Sequence, residues 1–113
     1  MSDDSTAKTE RIRALNDRFR QTMTGGRFMM TAGVSALGAE RVARLVQSVR
    51  AFNTFSADND PHGEHDFGAI DDNGERFFWK IDYYDLSMEF HSEDAADASK
   101  TVRVLTVMLA GDL

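Results

Sequence analysis

Asp58 to Gly68 reads DNDPHGEHDFG, and it is where this chain's chemistry would be sought first. Its eleven residues hold the only proline, two of the three histidines (His62 and His65) and four carboxylates (Asp58, Asp60, Glu64, Asp66). Imidazoles beside carboxylates can ligate a divalent metal or pass protons. His91 is a further donor if a later strand pairs back toward the loop. None of the familiar ligand spacings is met. A calcium loop begun at Asp58 has its glycine at the sixth position, Gly63, but Ala69 stands where the bidentate glutamate belongs. The H-x-E of His62 and Glu64 needs a cysteine pair to make a zinc deaminase, and the chain has no cysteine. H-E-x-x-H is absent, because Glu64 runs directly into His65. What survives is the alternative of a metal set of His62, His65 and Asp66, serving a divalent-metal hydrolase.

The competing reading is structural. Asp-Pro and His-Gly pairs start turns, and Asp and Asn side chains cap backbone amides, so the same loop could simply steer the chain into a sheet. Asp58, Asp60, His62, Glu64, His65 and Asp66, with Trp79, Tyr83 and Tyr84 of the following aromatic strand, are the candidate binding residues under either reading. Ser, Lys and His form no nucleophile arrangement, so an enzyme is the less favoured class and no cofactor is expected.

Two elements must position the loop. Before it, Ile12, Leu15, Phe19 and Met23 recur at helical spacing from Thr9, with Arg11, Arg13, Arg18 and Arg20 assigned to other faces. Thr24-Gly25-Gly26 is a helix stop rather than a phosphate loop, since it follows a helix instead of a strand. Arg27 to Thr31 predicts a short strand. Ala39 to Phe52 predicts a second helix on the stripe Val42, Leu45, Val46, Val49 and Phe52, and residues 1–8 read as a flexible leader to a single domain over 9–113.

After it, His65 to Ile70, the turn Asp71-Asp72-Asn73-Gly74 and Glu75 to Tyr84 predict a hairpin, because Asn-Gly tolerates the positive φ of a tight turn. Alternation puts Phe77, Trp79, Ile81 and Tyr83 on one face and Phe78, Lys80, Asp82 and Tyr84 on the other. Leu86, Met88 and Phe90 extend this to a third strand. Val102, Leu105, Met108 and Leu109, behind Asp94 or Asp97 as N-cap and before Gly111, predict a closing helix, with a strand kept open by the β-branched residues. The expected fold is a single compact α+β domain, a mostly antiparallel sheet of three to four strands with helices on one face, in the order α-β-α-β-β-β-α.

Charge and composition bound the function. The 113 residues carry a net charge of −6, split as nine Lys and Arg against five Asp and Glu in residues 1–50 and four against fourteen in 51–113. No contiguous basic surface is expected, so direct nucleic-acid binding is disfavoured, as is a membrane span. The absence of cysteine and of a signal-peptide pattern points to the cytoplasm.

The loop DNDPHGEHDFG, the strand ERFFWKIDYYD, the segment Met30-Thr31-Ala32-Gly33-Val34 and the tail RVLTVMLA together resemble a family of small bacterial proteins, the domain of unknown function numbered thirty-seven sixty-eight. The resemblance implies a bacterial cytoplasmic protein encoded near mobile-element genes and brings no activity, cofactor or catalytic residue. Taken with the acidic half, it yields the expectation of a non-enzymatic interaction protein that blocks a basic, nucleic-acid-handling host or defence complex. Its carboxylates would stand where phosphates sit: Asp58, Asp60, Glu64, Asp66, Asp71, Asp72, Glu75, Asp82, Asp85, Glu89, Glu93 and Asp94. Such a mimic needs them on one continuous face. The further alternative is a homodimer burying Phe78, Tyr84 and neighbouring apolar surface, with no small ligand.

Overall fold

The computed structural model describes residues 2–113, with side chains from Asp4 onward. The first helix, α1, spans Ser2–Thr22 and is followed by β1 (Gly26–Met30), the single turn α2 (Ala32–Ser35) and α3 (Ala39–Ala51). Then come β2 (Phe67–Asp72), β3 (Glu75–Tyr84) and β4 (Val102–Leu109), with short 3-10 turns at Ala98–Lys100 and Ala110–Asp112. The four strands form one sheet in the order β1-β4-β3-β2. β4 pairs parallel to β1 and antiparallel to β3, and β3 closes the hairpin with β2. The chain is an α+β domain, as expected, with its helices gathered on one face of the sheet.

The core lies between that face and the helices. Phe77, Trp79 and Ile81 of β3 and Leu105 and Val107 of β4 meet Phe19 of α1 and Leu45 and Val49 of α3. Phe77, Trp79, Leu105 and Val49 have no solvent exposure at all. Each such side chain contributes about 1.5–3 kcal/mol by leaving water. Gly68 on β2 is required by this packing, since a Cβ there would come within 2.5 Å of Trp79 Nε1.

The tail corrects the sequence reading. Residues 102–109 form a central strand rather than a helix, because a strand uses both of their faces: Arg103, Leu105 and Val107 turn toward the helices, while Val104 and Met108 are buried on the opposite side. β-branched residues suit that pleated, doubly packed position. Asp97 does cap as expected, accepting from Ser99 N–H, but only for the three-residue turn Ala98–Lys100.

The third strand of the expected meander is also absent. Residues 85–90 make a tight turn closed by Asp85 N–H to Phe90 O at 2.8 Å, and the pairing is reduced to a single bridge between Tyr84 and His91. Met88 sits at φ +63°, which strand alternation cannot accommodate.

At the other end, α1 begins at Ser2, inside the span read as flexible up to residue 8. Asp4 in its first turn favours the helix dipole, and Lys8 Nζ reaches Asp94 Oδ1 at 3.3 Å. The helix ends at Thr22, with Met23 in the left-handed conformation at φ +62° and its N–H on Phe19 O.

Candidate functional site

The loop between α3 and β2 is built onto α1. Within it, Asn59 Oδ1 accepts from Ser56 N–H and its Nδ2 donates to Thr54 O, while Asp60 N–H donates to Ser56 O. Asp60 Oδ1 then accepts from His65 N–H at 3.1 Å, closing a ring of chain in which Gly63 and His65 take φ of +70° and +55°. These are the Asx-type turns that such residues favour.

His65 locks this loop to the helix. Its Nδ1 lies 2.8 Å from Asp17 Oδ1, and because a carboxylate only accepts, Nδ1 carries the proton in that bond. On the other side Nε2 is 3.6 Å from Asp60 Oδ2. The ring stacks on Phe55 at 3.7 Å between centroids and 4° between planes. Asp17 also takes Arg20 Nη2 at 3.0 Å.

Arg20 and Asn16 are the residues that sequence reasoning misplaced or missed. Helical spacing assigned Arg20 to an outer face, yet it is 1% exposed and Asn16 is fully buried. Arg20 Nη1 donates to the carbonyls of Val49, Arg50 and Phe52, the open acceptors at the end of α3. Its guanidinium also lies 5.5 Å from the Phe55 ring and 5.4 Å from the Trp79 ring. Asn16 Nδ2 donates to Glu64 O and to Tyr83 Oη, and its Oδ1 accepts from Arg103 Nε at 2.7 Å. Tyr83 Oη donates in turn to Glu64 Oε1 at 2.8 Å. Burial, and then the bond to Glu64, push the Tyr83 phenol far above its ordinary value. A signal existed in the sequence: Ile12, Asn16, Phe19 and Arg20 share one face at helical spacing, so the face could be recognised only by admitting two polar members.

The candidates thus divide. Asp60, Glu64, His65 and Tyr83 do come together, as parts of a half-buried hydrogen-bonded framework in which only Asp60 is buried. Asp66, at the mouth of β2, is held above the usual carboxylate range by desolvation first and by Glu64 second. Trp79 cannot contact a partner, being wholly buried in the core. Tyr84 faces away from this network and stacks with His91 at 6.3 Å. Asp58 and His62 are both exposed. His62, His65 and Asp66 do not assemble a metal site: among the described residues no three His, Cys, Asp or Glu side chains converge as ligands. His65 Nδ1 is already engaged by Asp17, while Nε2 lies 3.6 Å from Asp60 Oδ2, outside hydrogen-bond distance.

The other carboxylates are scattered and largely answered within the chain. Asp72 pairs with Arg41 and Arg44, and Glu75 with Arg41, at the hairpin end of the sheet. Asp71 pairs with Arg76, Asp82 with Lys80, Glu93 with Lys100 and Asp94 with Lys8. Hydrogen bonds from Arg44 and Arg41 keep Asp72 below its ordinary value.

One segment behaves otherwise. In the turn after β3, Asp85 Oδ1 accepts from Ser87 Oγ, Glu89 N–H and Phe90 N–H, bonds that hold its carboxyl below the usual range. The turn so fixed presents Leu86 and Phe90 to solvent, 66% and 69% exposed. Beside it Asp85, Leu86, His91, Glu93 and Lys100 line a hollow of about 370 Å³.

No helix among the described residues is long and apolar enough to cross a membrane. No curated protein and no solved structure matches the chain. The family model described as "Protein of unknown function (DUF3768)" matches residues 30–112, from the end of β1 through β4 and excluding α1. Since that match takes in the loop, the hairpin and the central strand, the chain belongs to this family of unknown function.

Proposed function

We propose that the chain is a non-enzymatic interaction protein that recognises a basic protein segment, and that its contact surface is the turn from Asp85 to Phe90 with the adjoining hollow. The observation that carries this reading is the exposure of Leu86 and Phe90 on a turn locked by Asp85. Two large apolar side chains held out in water have lost little further entropy to give on binding, and apolar anchors inside a polar rim are the usual energetic centre of an interface. The rim carries Asp85, Glu89 and Glu93, the last paired with Lys100, and the net negative balance favours a basic partner and rapid encounter with it. Within a bacterial mobile element, the partner class that fits is a basic host or defence complex that handles nucleic acid. The internal hydrogen bonds of His65, Asp60 and Glu64, with Asp60 buried and the other two half-buried, support a structural role for the loop instead of catalysis.

The test is affinity capture from a bacterial lysate at low and high salt, using the wild-type chain and a Leu86→Ser/Phe90→Ser variant. The reading expects a basic nucleic-acid-handling complex that the wild type retains at low salt and the variant does not. Equal capture by both proteins contradicts it.

A second reading rests on the open face of the sheet. Phe67 and Phe78 stack there at 5.3 Å, and Met29 is 52% exposed on β1. A second copy of the chain would cover this face in a homodimer, which light scattering at increasing concentration would detect as a doubled mass.

A further inference from the structure

A second hollow of about 370 Å³ is lined in part by Arg18, Thr24, Gly25, Thr101 and Arg103. We infer that this cleft binds a small oxyanion-bearing ligand of the phosphate monoester kind, held between Arg18 and Arg103.

The first support is an uncompensated charge. Arg103 is 3% exposed, and its contacts are neutral: Nε donates to Asn16 Oδ1, and Nη2 donates to Ala95 O. Among the described residues no carboxylate forms an ion pair with it, and the Glu64 charge reaches it only through space, from beyond contact. Removing a guanidinium from water without a contacting anion is costly, and the desolvation depresses its proton affinity. An anion in the cleft would supply the missing counter-charge. Arg103 Nη1 makes no hydrogen bond among the described residues and is the donor left to do so.

The second support is Arg18, on the same cleft wall. Arg103 is joined there by an exposed side chain that forms no ion pair among the described residues. Two guanidiniums facing one cavity repel unless an anion lies between them, and their planar forks match phosphate oxygens. The third is access. At Gly25, φ +99°, an added Cβ would meet nothing within 4 Å, so the rim is open where α1 hands over to β1. The volume falls at the low end of the roughly 300–1,000 Å³ of small-molecule sites.

The experiment titrates the whole chain with inorganic phosphate, following backbone amide signals by NMR, with sodium chloride at matched ionic strength as control. Saturable shifts centred on Gly25, Thr101 and Arg103 are expected, with binding weakened about tenfold in Arg18→Gln, equivalent to about 1.4 kcal/mol. Arg18 is exposed and outside the internal hydrogen-bond framework, so this variant tests the cleft without disturbing the core; Arg103→Met, which removes a buried donor, serves only as a second variant if its spectrum remains folded. Shifts that chloride reproduces, shifts spread over the surface, or an unchanged affinity in Arg18→Gln would each overturn the inference.

Discussion

His65 Nδ1 and Asp17 Oδ1, 48 residues apart in the chain, meet at 2.8 Å and fasten the α3–β2 loop to the first helix. His65→Ala removes this bond, the stack on Phe55 and the anchor of a left-handed residue. We expect a loss of about 2–3 kcal/mol in urea denaturation, the range for a hydrogen bond to a charged group plus lost packing. Asp17→Asn should cost less, about 1 kcal/mol, because an amide oxygen still accepts from Nδ1.

Arg20 closes the end of α3 with three carbonyl bonds while lying buried between Phe55 and Trp79. Arg20→Met keeps the apolar contacts and strands the carbonyls and Asp17. A destabilisation of about 3 kcal/mol is expected by thermal unfolding, with amide exchange accelerating first at Val49 to Phe52.

Asp66 gives a pH dependence whose sign is fixed by its raised value. Desolvation, then Glu64, disfavour its charged form in the folded chain, so the stabilising contribution is fully present below the ordinary 3.8 and is lost as pH rises through the folded value. Asp66→Asn mimics the neutral form. Its melting temperature should exceed that of the wild type at pH 7, with the difference vanishing near pH 3; a lower melting temperature at pH 7 would refute the assignment.

How much of this was readable in advance follows from which forces are local. Ala39 to Phe52 and the hairpin around Asn73-Gly74 were legible because helical period and turn chemistry act within a few residues. The face containing Phe77, Trp79, Ile81 and Tyr83 was legible for the same reason. Residues 102–109 were not, since their place between β1 and β3 is decided by partners up to about 77 residues away, and Val102, Leu105, Met108 and Leu109 happen to fit a helical stripe as well. The loop was legible as the chain's most unusual stretch and as turn chemistry, but its partner Asp17 and the buried Arg20 were hidden among ordinary helix polar residues. The turn at Leu86 and Phe90 was obscured by an alternation that imitates a strand.

The account stands on the Asp85 turn as the binding surface and the His65 loop as framework, and one comparison separates these roles. Affinity capture would be run side by side with Leu86→Ser/Phe90→Ser and with Asp58→Asn/His62→Ala, each checked for an intact fold by circular dichroism. The account predicts that the first variant loses the captured basic complex and the second retains it. Capture that survives in the turn variant and disappears in the folded loop variant would contradict it.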